Sequence, residues 1–326
     1  MLTAKQKPLF LCPASLRGNV FAALLLGLTA ALCACEDKPA APPAPAQREH
    51  PTTFTDAPAF SGDNAYLHTA ALCALGPRPS GSEAYARQLG YLETRLTAAG
   101  WQVERDTFSA PNGTPMCNLR ARFGEGEATR PVLVSCHIDT KRLPGFIGAD
   151  DGASAAGAML ELARVLAAEH PQLAEQVEFI FLDGEEAFGA HMTAEDGLYG
   201  SRHDVARRAT GKGLPRYQIN LDMVGGADNA IAVPAYDTSD EMLAQYAKAI
   251  LAENLSSARW TIVPASYRDD HRPYLEAGVE ALNLIADFRG SSWWHKSGDT
   301  MERISPRTLG ETGRLCLRLL AQLLRN

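Results

Sequence analysis

The sequence predicts an α/β fold: a single domain built on a mixed, mainly parallel twisted sheet with helices on both faces. Three observations carry this. Short runs of apolar and β-branched residues alternate with longer segments of helical period, as expected of strands joined by crossover helices. The runs are mainly apolar, which suits strands buried on both faces. Residues 61–326 follow an N-terminal stretch of different composition and are a plausible length for one such domain. In chain order, Ser82 is placed to cap a helix reaching residue 100, with Tyr85, Leu89, Leu92 and Leu96 on one face. Residues 131–136 read as a buried strand, 153–170 as a helix, and 177–182, 217–221 and 281–285 as further strands. Ser305-Pro306 reads as a cap with proline at the first helical position, opening a last helix with Leu309, Leu315, Cys316, Leu319, Leu320 and Leu323.

The N-terminal stretch reads as an export signal. Lys5, Lys7 and Arg17 form a positive front, and residues 20–32 are a short apolar run. Leu32-Cys33-Ala34-Cys35 resembles a bacterial lipoprotein box, which implies lipidation of Cys35 and a chain tethered to the cell envelope, in the periplasm. Residues 36–60, rich in Pro and Ala, then read as a stiff solvated tether. No other apolar stretch approaches the ~20 residues of a spanning helix, so the only membrane contact expected is through the lipid. An apolar share of 46% and a charged share of 21% exclude wholesale disorder and allow a sizeable core. A net charge of −7 gives no electrostatic reason to hold nucleic acid. With Cys12 and Cys33 lost with the signal, Cys73, Cys117, Cys136 and Cys316 remain; they have no metal-knuckle spacing and are free to pair in an oxidising compartment.

The polar residues with chemical potential fall at strand ends. His137-Ile138-Asp139 follows the first buried strand, and period-two geometry puts the imidazole and the carboxylate on one side, where the acid can fix the tautomer. Gly148-Ala149-Asp150-Asp151-Gly152 permits a tight loop at a helix entrance, one Asp suited to cap and the other to bind a cation. Glu185-Glu186 follows the second strand; neighbouring side chains on an extended backbone diverge, so one can ligate a metal while the other faces substrate. Asn220-Leu221-Asp222 ends another strand, and Trp293-Trp294-His295 leads to Asp299-Thr300 near the C-terminus. Each segment alone is ordinary: a polar strand end, a cap, a solvated acid pair, core tryptophans. Together they offer the nitrogen and oxygen donors of a catalytic zinc site.

The order H-x-D, D-D-G-A, E-E, L-D-M, H-x-x-x-D-T resembles the zinc aminopeptidase family over roughly residues 65–326. Within it, residues 183–188, 198–203, Asp269-Asp270-His271 and Trp294-His295 are similar to animal-type glutaminyl-peptide cyclotransferases. That resemblance implies Asp151, Glu186 and His295 as ligands of one zinc and Glu185 as general acid/base. It implies Asp222 and Asp269 as acids hydrogen-bonded to Glu185, and Trp294 as a wall of the substrate pocket. His137 and Asp139 would support the zinc from outside its shell. The di-zinc peptidases of the family imply a different use: His137 and Asp222 hold a second zinc, Asp151 bridges, and Asp139 supports. Asp269 stands where those peptidases usually have Ser, and an acid beside Asp222 would favour a shared proton over a second metal. Three positions depart from the animal enzymes: Asn283 replaces a His, His191 falls about where a pocket Trp lies, and Ala156 replaces a Cys that would pair with Cys136. The implied reaction is conversion of the N-terminal Gln of peptides or proteins to pyroglutamate with release of ammonia. An aminopeptidase with one or two zincs is the alternative, and a catalytically silent peptide-binding lipoprotein is a third reading.

Overall fold

The apolar runs become the centre of an eight-stranded sheet. The computed structural model describes residues 50–125, 130–211 and 213–325; the leader, Cys35 and residues 36–49 lie outside them. The strands are β1 (Gln102–Ser109), β2 (Pro115–Arg122), β3 (Val132–His137), β4 (Val177–Leu182), β5 (Tyr217–Asp222), β6 (Ile231–Pro234), β7 (Trp260–Val263) and β8 (Glu280–Ala286). Their spatial order is β1-β2-β4-β3-β5-β8-β6-β7. Strand β3 runs parallel to β4 and β5, β5 to β8, and β6 to β7, while β1–β2, β2–β4 and β6–β8 are antiparallel. The sheet is therefore mixed with a parallel centre, the arrangement expected from the sequence. The helices are α1 (Gly62–Cys73), α2 (Glu83–Ala98), α3 (Ala155–Glu169), the single turn α4 (Pro171–Ala174), α5 (Tyr199–Thr210), α6 (Asp240–Ala252), α7 (His271–Glu276) and α8 (Pro306–Leu323).

Period-two alternation sends apolar side chains of β3 and β4 to both faces of the sheet. Val132, Val134 and Cys136 of β3, with Phe179 and Phe181 of β4, join the main core formed with α1, α2, α3, α6 and α8. Leu133, Ile180 and Leu182 point the other way, into a smaller core with Tyr274 of α7 and Val205 of α5. Local signals set the helix ends. Ser82 Oγ accepts the Tyr85 N–H at 3.0 Å, and Ser305 Oγ accepts the Thr308 N–H at 3.3 Å with Pro306 at the first helical position. The parallel strands β3, β4 and β5 all end at one edge of the sheet, where open α/β sheets place their ligands.

Several features differ from the reading of the sequence. The end of the segment read as a tether lies on the domain: Phe60 is buried, His50 stacks on Tyr66, and the Asn64 side chain bonds the main chain of Thr55 in both directions. The four cysteines are unpaired thiols, all buried. Burial pushes Cys73 and Cys316 up to about 12. Strands β1 and β2 are not expected from the sequence, because β2 buries Asn118 and Arg120 in place of apolar residues. Among the described residues no helix is long and apolar enough to cross a membrane.

Arg120 belongs to a buried ionic lattice that fastens β2 to β4 and α5. Glu178 accepts from Arg120 at 2.7 Å and Arg122 at 2.8 Å and also pairs with Arg208; Asp204 takes Arg208 and the Tyr274 hydroxyl. Burial alone would raise the Glu178 carboxyl, but the guanidinium groups of Arg208, Arg120 and Arg122 outweigh it and hold it down to about 2. Glu178→Ala would leave three guanidinium groups short of a counter-charge, and urea unfolding should show a loss of about 3–5 kcal/mol. The folded value lies below the ordinary one, so the ionic contribution is complete above the usual 4.5 and is lost as pH falls towards about 2. The stability gap between wild type and Glu178→Gln should therefore shrink below pH 4.5; a gap that stays constant there would rule out an ionic origin.

Candidate active site

The site is assembled where β3, β4 and β5 end. His137 is the last residue of β3, and its ring is fixed from both sides. Nδ1 lies 3.1 Å from the Asp139 carbonyl oxygen, an acceptor, so that nitrogen carries the proton. Nε2 faces Asp222 Oδ1 at 3.1 Å and Asp151 Oδ1 at 3.2 Å. The tautomer is thus set by the main chain of Asp139, not by its carboxylate, which is 3.7 Å from Nδ1. The carboxylate instead accepts the main-chain N–H groups of Glu185, at 3.1 Å, and Glu186, at 3.3 Å, and so positions the loop after β4.

Asp151 sits in a wide turn at Ala149–Ser154, where it and Gly152 leave helical geometry. Gly152 has φ +94, and a Cβ there would meet the Asp139 carbonyl at 3.0 Å, so only glycine fits. Neither Asp caps the helix with its side chain. Asp150 binds the Gly225 N–H at 2.8 Å and Asn229 Nδ2, tying the turn to the segment after β5. The anchor is remote: both Asp299 oxygens accept the N–H groups of Asp150 and Asp151, at 2.8 and 3.0 Å. Asp299 is visible in the sequence only as the acid of the H-x-x-x-D-T segment.

Asp151 Oδ2 points towards His295 Nε2 at 3.4 Å, and His295 Nε2 lies 3.1 Å from Glu186 Oε1. His295 has a left-handed backbone, φ 52, a strain borne only where surrounding contacts fix it. Trp294 stacks on its ring at 4.1 Å and lines the pocket, whereas Trp293 is buried in the packing below. Lys141, buried and unforeseen although it closes the run His137-Ile138-Asp139-Thr140-Lys141, donates to the Ala187 carbonyl at 2.7 Å and stands 3.5 Å from Glu186 Oε2. Glu185, Glu186, Asp151, Asp222, Asp269, Trp294 and His295 line one cavity of about 220 Å³, with His191 and Met192 also in its lining.

The acids that were expected to bond to one another do not. Asp222 turns to His137, while Asp269 Oδ2 accepts the amide groups of Asn220 at 3.1 Å and Asn283 at 2.8 Å. No hydrogen bond joins the Glu185, Asp222 and Asp269 side chains among the described residues. Asp269 acts on the other two through space. Burial raises Glu185 well above the carboxylate range; His137 opposes this, and Glu186, Asp269 and Asp270 add to it. Burial likewise raises Asp222, against His137 and with Asp269 and Asp151. Asp151 is the exception: burial would raise it, but His137 and His295 hold it far below the ordinary value. Burial would lower His295, yet Asp151 and Glu186 push it up to about 9.

Two donor sets share Asp151: Asp151, Glu186 and His295, and His137, Asp151 and Asp222, each with ligand atoms within 4.8 Å of one another. Asp151 Oδ2 is buried without a hydrogen-bond partner, as a carboxylate reserved for a cation would be. The donors are imidazole and carboxylate, which suit zinc. Asp299→Ala should free the two N–H groups that hold Asp151 and weaken zinc retention by about 10- to 100-fold. Competition against a chelator measures this; an affinity equal to wild type would mean that Asp299 does not position the ligand.

Residues 118–320 match the model of peptidase family M28. The glutaminyl-peptide cyclotransferase-like protein of Bos taurus is 32% identical over 76% of this chain and 72% of its own. Among solved structures, the glutaminyl cyclase of an Acidobacteriales bacterium is 26% identical with a TM-score of 0.72, covering 86% of this chain and all of its own. A Zn-dependent exopeptidase from Parabacteroides distasonis shares the fold at 24% identity and a TM-score of 0.71, covering 80% of this chain and 98% of that one.

Proposed function

Since the chain belongs to peptidase family M28 and, within it, to the glutaminyl-peptide cyclotransferases, we propose that it converts the N-terminal Gln of peptides to pyroglutamate with release of ammonia, using zinc. The observation that carries this reading is the placement of Glu185. Its carboxyl lines the cavity beside Asp151, Glu186 and His295, with no side-chain hydrogen-bond partner among the described residues, and is held well above the usual range.

Asp151, Glu186 and His295 would hold the zinc; when bound, it supplies a Lewis acid that polarises the side-chain amide carbonyl of the substrate. The remaining work falls to the chain. The cavity folds the substrate so that its own α-amine reaches the amide carbon. Glu185 takes a proton from that amine as the new C–N bond forms and gives it to the amide nitrogen, which leaves as ammonia when the old C–N bond breaks. Its raised pKa suits a group that must both accept and donate near neutral pH. Asp139 holds the Glu185 and Glu186 N–H groups in register, and the charge of Asp269 helps to raise Glu185. Trp294, with Phe288 at 4.5 Å, gives an apolar wall that keeps water from competing with the amine.

A second reading has its own observation. His137, Asp151 and Asp222 form a donor set of their own, so a di-zinc aminopeptidase in which Glu185 activates water is the alternative. The zinc count separates the two, and one zinc per chain is expected. Purified protein should cyclise Gln-naphthylamide and release little naphthylamine from Leu-naphthylamide. Glu185→Gln should keep zinc and lose at least about 100-fold in turnover, since an amide shuttles no proton. Glu186→Ala should lose the metal, and Asp269→Asn should keep it while cutting cyclisation heavily. Two zincs per chain with brisk release from Leu-naphthylamide would favour the aminopeptidase.

The leader and Leu32-Cys33-Ala34-Cys35 support an exported protein held at a bacterial envelope by a lipid on Cys35. Cys35→Ser should abolish labelling by a fatty-acid analogue and release the domain in soluble form; label retained in that variant would exclude Cys35 as the acceptor.

A further inference from the structure

A second groove adjoins the catalytic cavity, and Arg268 lines both. The catalytic cavity is about 220 Å³ and admits the N-terminal residue; the later residues of the peptide must run out over its rim. The adjoining groove is larger, about 510 Å³, and its charged lining is Arg202, Arg268, Arg272 and Glu276. We propose that this groove is a subsite for a carboxylate carried by the peptide beyond its first residue, so that the enzyme prefers substrates acidic after the N-terminal Gln. The identity of that first residue rests on the function proposed above; the charge preference does not.

The groove holds more positive charge than it neutralises. Arg272 is occupied, pairing with Asp237 at 2.7 Å and Glu276 at 3.4 Å. Arg202 and Arg268 have no carboxylate within ion-pair distance among the described residues. Arg268 is nonetheless fixed: its Nη1 donates to the Thr193 carbonyl at 2.9 Å. That bond holds the guanidinium at the junction of the two cavities without cancelling its charge. Two free guanidinium groups on a chain of net charge −7 are a local feature that the overall composition works against. A guanidinium matches a carboxylate in charge and in planar, two-pronged geometry. The carboxylate has two sources in a peptide, an Asp or Glu side chain and the free C-terminus.

The test is a series of Gln-peptides with the wild-type zinc enzyme: Gln-Ala-Ala-amide, Gln-Glu-Ala-amide, Gln-Ala-Glu-amide, Gln-Lys-Ala-amide, and Gln-Ala-Ala with a free carboxylate. The acidic peptides should exceed the neutral amide in kcat/KM by about three- to tenfold, chiefly through KM, and the Lys peptide should fall below it. The gap should close at high salt, as expected of partly exposed charges. It should narrow in Arg202→Ala, vanish in the Arg202→Ala/Arg268→Ala double variant and return in part in Arg202→Lys, with unchanged melting temperatures showing that the fold is intact. A gain in the amidated acidic peptides assigns the contact to side chains; a gain confined to the free-carboxylate peptide assigns it to the C-terminus. Equal kcat/KM across the series at low salt overturns the subsite and leaves cyclisation standing. If none of the peptides yields pyroglutamate, the proposed function fails instead, and the same charge series with Leu at the N-terminus, assayed by release of Leu, decides the subsite alone.

Discussion

The interaction on which the rest of the site depends is the burial of Asp151 between two imidazoles. Its oxygens face His137 at 3.2 Å and His295 at 3.4 Å. A carboxylate this deep is stable only with positive charge on it. Glu185, Glu186 and Asp222 crowd the same cavity, and all are pushed towards their neutral forms. The cluster is an assembly of acids short of positive charge, and a dication placed on Asp151 would answer that need while displacing protons from its ligands. The site fits a metal because the protein has concentrated carboxylates where water cannot solvate them.

That concentration is costly, and the surrounding structure shows how it is held. Three acids that are not offered to the cavity secure the loops around it. Asp139 holds the main chain of Glu185 and Glu186, Asp299 holds that of Asp150 and Asp151, and Asp150 holds Gly225 and Asn229. The fixed loops tolerate strained backbone at His295 and Met223, both at positive φ. Below them, Ser135, Asn220 and Asn283 form a polar layer across β3, β5 and β8 that ends on Asp269. Placing these groups is the work of the parallel strands, whose ends lie side by side at one edge.

The elements legible in the sequence are those governed by local rules. Helix α2 is set by the Ser82 cap and a four-residue apolar stripe, α8 by Ser305-Pro306, and β3, β4, β5 and β8 by short runs of mainly apolar residues. Elements that rest on tertiary pairing leave little trace. Strand β2 buries Arg120 because Glu178, 58 residues away, neutralises it, and no window of sequence around Arg120 contains that partner. The same limit applies within the site. The sequence marks the acids and imidazoles by type and position at strand ends, but not which oxygen turns to which nitrogen. Asp139 reads from the sequence as the partner of an imidazole and serves two amide N–H groups instead. Lys141 and Asp299 give no signal beyond their place in short motifs, because their importance lies in contacts with Glu186 and with the turn of Asp151.

The choice between one metal and two reduces to the space between His137 Nε2, Asp151 Oδ1 and Asp222 Oδ1. The Asp139 carbonyl keeps the other ring nitrogen, Nδ1, protonated, so Nε2 either carries a second proton shared with those two acids or gives its lone pair to a cation. A proton and a dication are alternatives for that one place. Asp269 bears on the outcome without touching Asp222: its charge adds to burial in raising Asp222 and so favours the proton. Asn283 and Asn220 each donate one amide N–H to the Asp269 carboxylate and so fix its position. With the proton in place among His137 Nε2, Asp222 and Asp151, the second donor set is occupied. The one remaining set, Asp151, Glu186 and His295, faces the cavity next to Glu185, where a substrate amine can act as its own nucleophile.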